Sequence, residues 1–404
     1  MFYDLIVVGG GAAGFFSAIT CAENSTKSVL ILEKTKQVLQ KVKISGGGRC
    51  NVTHACFDAR DLSTHYPRGE KSLIGPFNRF GATDTVEWFE SRGVHLKTEE
   101  DGRMFPTTDD SQTIIDTLMH AARSAGITIQ TSEGVSSVSA DEDGFTLTTD
   151  SGQSYRCANL LLATGGTRSA SGAKLASGLG HQLQPATPSL FTFKIAHPLL
   201  DGLAGLSVDD AEVKILQSKL TSDGPVLITH WGLSGPGILK ISAWGARELA
   251  EKNYRFDITV NWLPKTDPAS VFAHKRASEA KRKLSGQSPF PEIPKRLWQQ
   301  MLQVANVADE TIWAELPKKQ TAKLVELLSA SPFSVDGKSM NKAEFVTCGG
   351  VTANEIDFRT MESKSVPGLY FAGEIIDIDG ITGGFNFQNA WTNGHHAGMA
   401  IAHS

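Results

Sequence analysis

The residues with the clearest chemical use stand at the start of the chain. Tyr3-Asp-Leu-Ile-Val-Val ends in Gly9-x-Gly11-x-x-Gly14, and Phe15-Phe-Ser-Ala-Ile-Thr-Cys-Ala reads as a helix. In a strand–turn–helix of this kind the first glycine makes the tight turn and the second lets backbone approach a pyrophosphate. The third lets helix and strand pack closely. The free N–H groups of Ala12, Ala13 and Gly14, at the positive end of the helix, then receive phosphate oxygens. A second apolar run, Ser28-Val-Leu-Ile-Leu-Glu33, follows at βαβ distance. Glu33 lies 19 residues after Gly14, where a carboxylate accepts ribose hydroxyls, with Lys34 beside it.

Three further segments carry the same kind of chemistry. In Lys41-Val-Lys-Ile-Ser45-Gly46-Gly47-Gly48-Arg49-Cys50-Asn51-Val-Thr53, consecutive glycines permit close approach to a flat ligand, and Lys41 and Arg49 offset pyrophosphate charge. Asn159-Leu-Leu-Leu-Ala-Thr164-Gly165-Gly166 is a buried strand running into another glycine turn. Near the end, Leu369-Tyr-Phe-Ala-Gly373-Glu374 and Gly380-Ile-Thr-Gly383-Gly384-Phe385-Asn386-Phe-Gln388 precede a helix that runs to about Ala402. Only the first glycine set follows a strand, opens a helix and has an acid downstream. One permanently bound FAD therefore fits better than a lone NAD, with NADH or NADPH as a transient electron donor. The expected layout puts the adenine half near Glu33 and Val135, and the pyrophosphate on Gly11–Gly14. The flavin ring lies between Ser45–Asn51 and Gly383–Gln388, and the dipole of the helix from Asn386 stabilises reduced flavin.

A length of 404 residues suits two or three domains. The reading is α/β: residues 1–190 form the first part of an FAD-binding domain, 191–263 a β-rich insert and 264–331 a helical insert. Residues 332–404 return through the β-rich part and complete the FAD-binding domain. The middle is read from short alternating runs such as Ala211-Glu-Val-Lys-Ile-Leu and from helical patterns at 270–284, 294–304 and 311–328. With 39 basic and 43 acidic residues and a net charge of -4, the balance argues against a dedicated nucleic-acid binder. Five scattered cysteines fit a reducing cytoplasm, and no apolar run is long enough for a membrane span. The expected partner is a small-molecule substrate, with neither nucleic acid nor membrane, and the oligomeric state is left open.

Ser45-Gly-Gly-Gly-Arg-Cys-Asn-Val-Thr53, Thr229-His-Trp-Gly-Leu-Ser-Gly-Pro236, Val346-Thr-Cys-Gly-Gly350 and Thr382-Gly-Gly-Phe-Asn386-Phe-Gln388 occur in order along the chain. In these motifs, and in Leu369–Glu374 continuing to Asp377-Ile-Asp-Gly380, the chain resembles the aminoacetone-oxidase-like (BaiN-like) family of NAD(P)/FAD-dependent flavoproteins. The resemblance implies a two-dinucleotide-type FAD-binding Rossmann-like domain. A β-rich, barrel-like domain and a small helical domain interrupt it. The implied activity is flavin redox chemistry on a small molecule, either as an NAD(P)H-linked reductase or as an oxygen-using amine oxidase; a role in RNA modification is the minor alternative.

Some residues invite sharper readings. Cys50 and Cys56 resemble a flavin-linked dithiol, but five residues separate them and Cys50 reads better as a packed side chain. Lys275, Arg276, Lys281, Arg282 and Lys283 read as the solvated face of a helix. His395 and His396 lie within the last helix, a turn or more from its start, and read as packing or surface residues rather than catalysts. No metal pattern, Ser–His–Asp set or other catalytic acid or base stands out among the eleven histidines.

Overall fold

The computed structural model describes residues 1–167, 170–339 and 346–404. It divides into two compact units, Met1–Pro188 with Asn341–Ser404, and Ser189–Met340.

The first unit is built on a nine-stranded sheet. Phe2–Val8 is its parallel centre, pairing with Val29–Glu33 on one side and Ser154–Leu162 on the other. Leu5, Ile6 and Val7 are fully buried, as expected of a strand covered on both faces. Thr128–Thr131 extends the parallel sheet beyond Val29–Glu33, and Leu369–Phe371 joins it beyond Ser154–Leu162. Val135–Asp141 and Gly144–Thr149 make the expected meander onto Ser154–Leu162.

The end of the chain closes this unit. The helix Phe385–Ala402 packs along the helix Ala12–Glu23, and two glycines set the approach. A Cβ on Gly394 would lie 2.8 Å from the carbonyl oxygen of Ala13, and one on Gly398 2.6 Å from that of Ser17. The backbones pass too closely there for a side chain.

In the second unit, seven strands and the helices share one hydrophobic core. Val213, Ile258 and Phe333 of the sheet and Phe272, Trp298 and Leu324 of the helices belong to the same buried cluster. The helices differ from the periodicity in two places. Pro268–Ser278 ends midway through the basic run, after Lys275 and Arg276, and the chain then turns so that Lys283 bridges to Ile312. The expected helix 311–328 begins only at Lys318, because Pro317 restricts the residue before it and leaves Trp313–Glu315 as a short 3-10 turn.

Candidate active site

The parallel strands end together, and the glycine turns gather at that end. Gly9 follows Val8 with φ +117°, and a Cβ there would run into the Ala163 carbonyl oxygen. This sets the turn directly against Thr164 and Gly165, which follow the strand paired with Phe2–Val8. A Cβ on Gly14 would strike the carbonyl oxygen of Gly9. Gly11 differs from both. Its Cβ would meet nothing within 4 Å, and as the N-cap of Ala12–Glu23 it brings no capping side chain. The space above Gly11 and the helix end below it suit a phosphate ligand. Thr164 Oγ1, buried without a hydrogen-bond partner among the described residues, adds a polar group beside this turn.

The residues expected on the adenine side are also brought together. Glu33 Oε2 accepts from the Gly10 N–H at 2.8 Å, while Oε1 accepts from the backbone and hydroxyl of Thr35. The Glu133 N–H donates to the Glu33 carbonyl at 2.9 Å, and a Cβ on Gly134 would come 3.2 Å from Lys34 Cβ. Val135 therefore starts its strand beside Glu33 and Lys34. On the other side of the turn, Gly373 faces Ala13, and Glu374 pairs with Lys41 and accepts from Thr347 N–H at 2.7 Å.

The two loops expected on the ring side meet at Asn51. In the orientation that satisfies its neighbours, its carboxamide accepts from Gly384 N–H at 2.9 Å and donates to the carbonyls of Thr53 and Met104. Ser45 leaves the helical conformation, and Gly46, Gly47 and Gly48 take φ of +57°, +69° and +87°. Gly47 and Gly48 face open space. Cys50 is fully buried at φ +59°, and burial pushes its thiol up to about 12; it and Cys56 are free thiols.

Three predicted side chains have other partners. Arg49 pairs with Glu99 at 2.6 Å and lies 3.9 Å over the Phe105 ring. Gln388 is fully buried between Thr53 and Thr392. Asn386 bonds to Gly380 through both its amide oxygen and nitrogen.

Several residues around the C-terminal loop were not singled out from the sequence. Asp379, wholly buried, is held by Arg68 through two hydrogen bonds, one of 2.5 Å from Nε. The Tyr66 hydroxyl donates to the Phe385 carbonyl at 2.6 Å. The imidazoles of His54 and His65 both stack on the Phe385 ring, at 4.7 and 4.3 Å. Burial holds His54 below the ordinary imidazole range. A Ser–His–Glu array is present elsewhere: His181 lies 2.7 Å from Glu355 and 3.1 Å from Ser363. Ser363 Oγ accepts two backbone N–H groups and is buried, so this array ties the loop at His181, the 3-10 turn Ala353–Glu355 and the strand Glu362–Ser363 together.

Residues 3–400 match the model described as "HI0933-like protein Rossmann domain". The chain belongs to the HI0933-like family. As a member it is an FAD-dependent oxidoreductase of α/β fold. Among curated relatives of this HI0933-like chain, the ribosomal RNA dihydrouridine synthase of Escherichia coli (strain K12) is 31% identical, over 97% of the chain and 96% of that protein. The 3-dehydro-bile acid delta(4,6)-reductase of Clostridium scindens is 29% identical over 98% of each. A similar solved structure is the 3-ketosteroid-delta4-(5alpha)-dehydrogenase of Rhodococcus jostii RHA1, with TM-score 0.54, 14% identity, and coverage of 99% and 97%. Among the described residues no helix is long and apolar enough to cross a membrane, and no group of three or more His, Cys, Asp or Glu is placed to hold a metal ion.

Proposed function

We propose that this oxidoreductase saturates a carbon–carbon double bond conjugated to a carbonyl, with NADH or NADPH as electron donor. The observation that carries the reading is a reaction shared by relatives that match almost the whole chain. Forming dihydrouridine saturates the 5,6 bond of uracil, which is conjugated to a ring carbonyl. A delta(4,6)-reductase of a 3-dehydro-bile acid saturates bonds conjugated to a 3-oxo group. Such a reduction adds hydride to the β carbon and a proton to the α carbon, and NAD(P)H leaves as NAD(P)+.

When bound, FAD supplies hydride transfer at its ring. The residues that would hold it are the Gly11–Gly14 turn for the pyrophosphate, Glu33 for the ribose and the Asn51–Gly384 junction for the ring side. The imidazoles of His54 and His65, both stacked on Phe385, are the candidates to supply the proton.

The sequence leads to a free small molecule as acceptor, as a bile acid is. A second reading, uracil within RNA, is favoured by the distribution of charge. Residues 189–340 hold 19 Lys and Arg against 16 Asp and Glu, whereas the rest of the chain holds 20 against 27. Anaerobic stopped-flow tests both readings. NADH or NADPH is expected to bleach the flavin, and either a 3-oxo-4-ene steroid or a uridine-containing ribosomal RNA transcript to restore its colour. If neither nucleotide bleaches it while aminoacetone does, with peroxide released on admitting oxygen, the protein is an amine oxidase and the reductase reading fails.

A further inference from the structure

We infer that the cleft in the second unit where the basic run ends is a docking site for the phosphodiester backbone of RNA. The inference rests on the RNA reading above. The sequence treats Lys275–Lys283 as one solvated helix face, but the helix ends at Ser278. Beyond it the chain folds back, with Leu284 N–H donating to the Thr311 carbonyl and Lys283 bridging to Ile312. The turn places Lys275, Arg282 and Lys283 around a cavity of about 450 Å³, within the range of ligand sites.

Lys275, Arg282, Lys283 and Lys295 line this cavity, and Glu279 is the only acid among its lining residues. Glu279 pairs with both Lys275 and Arg282, at 2.8 Å to the latter, and Glu310 pairs with Lys283 at 2.5 Å. Four cations thus meet two carboxylates, and the excess is positive. Glu279 holds its two cations at one point, and the Arg282 guanidinium additionally reaches Gln287 at 3.2 Å. The cavity floor is rigid, since Phe290 and Trp313 are buried in the unit's core. Cations over an apolar floor suit a phosphate chain, which they meet with charge-assisted hydrogen bonds. Each phosphate neutralised releases condensed counterions, so the binding must weaken steeply with salt.

The test uses the full-length flavoprotein and a fluorescein-labelled, uridine-containing RNA stem–loop of ribosomal sequence, read by anisotropy from 50 to 200 mM salt. Lys295→Glu is the main variant. Lys295 opens the helix Lys295–Val304, where a carboxylate complements the dipole and preserves folding. Arg282→Gln is the second. Each is expected to weaken RNA binding about tenfold and to lower the salt slope by ~1, as loss of one phosphate contact predicts. Flavin content and the rate of bleaching by NAD(P)H are expected to stay unchanged. RNA binding unaffected in both folded variants would overturn the site, as would equal affinity for duplex DNA of the same length, or no RNA binding at 50 mM salt. Failure of bleaching in the parent protein would instead remove the reductase reading, so the two failures are distinguishable.

Discussion

Asn386 closes a ring with Gly380: its Oδ1 accepts from the Gly380 N–H at 2.9 Å and its Nδ2 donates to the Gly380 carbonyl at 2.9 Å. One side chain therefore replaces the backbone partners that the segment before the terminal helix lacks. The sequence places Asn386 beside the flavin as a group that tunes it. Its hydrogen bonds make it a fastener of the loop that would cover the ring.

Replacing this fastener has a defined outcome. Asn386→Ala leaves the Gly380 N–H and carbonyl without their partner, at a cost of about 1–3 kcal/mol. The variant is expected to fold with a lower denaturation midpoint and to release flavin more readily. Asn386→Asp keeps the acceptor but sets a carboxylate against the Gly380 carbonyl, and should be the worse of the two. Urea midpoints and flavin retention on gel filtration check this. An alanine variant with unchanged midpoint and flavin retention would show the ring to be unimportant.

Gly14 is the sharpest steric test of the nucleotide turn. Its missing Cβ would strike the carbonyl oxygen of Gly9, so Gly14→Val must separate helix from strand. Purified Gly14→Val is expected to be colourless, with flavin occupancy at least about tenfold lower, equivalent to ~1.4 kcal/mol of lost affinity. Gly11→Ala probes a different effect. Its Cβ meets no protein atom, so the fold should be unchanged while the methyl narrows the phosphate space. A yellow Gly14→Val protein at normal occupancy would contradict the turn's role.

The closure of the chain on itself is tested at Gly398. Its Cβ would sit 2.6 Å from the Ser17 carbonyl oxygen and 2.7 Å from Thr20 Cβ. Gly398→Val should push the terminal helix off the first one and destabilise by about 1–3 kcal/mol or more, as overpacking does. Thermal unfolding of the flavin-loaded protein, followed by flavin release, is the measurement. The same substitution at Gly47, which faces open space, should act only through its positive φ and cost less.

What could be read from the sequence divides by how local the cause is. The strand–turn–helix around Gly9–Gly14 was legible because its spacing is contiguous and each glycine has one backbone reason. The meander 135–149 was legible from alternation around Asp141–Gly144. Arg68 and Asp379 were not, because 311 residues separate them and neither sits in a periodic pattern that predicts a buried pair. The same holds for His54 and His65, which meet only because Phe385 lies beside both. The early end of the helix at Ser278 was hidden for another reason. Ala-Lys-Arg-Lys-Leu are good helix formers, and the pairing of the next segment with Thr311 and Ile312 overrides their propensity. Arg49 is a side chain whose residue type was informative but whose partners, Glu99 and Phe105, belong to a hairpin that its own neighbourhood does not reveal.

His395 gives the fold a pH dependence whose sign follows from its surroundings. Its imidazole stacks on Phe80 at 4.1 Å, and burial, with His396 adding to it, lowers its pKa to about 4. Burial moves His396 in the same direction. The unfolded chain protonates such a histidine near 6.5, so between pH 6.5 and 4 the unfolded state binds more protons than the folded one. Stability is therefore fully present above pH 6.5 and is lost as pH falls through that window, at no more than ~1.4 kcal/mol per pH unit for this one group. His395→Phe keeps a ring against Phe80 and removes the titration. Urea midpoints of parent and variant should be similar at pH 7.5 and diverge towards pH 5, with the variant the more stable on the acid side. Parallel pH profiles for the two proteins would show that His395 does not stay neutral in the fold.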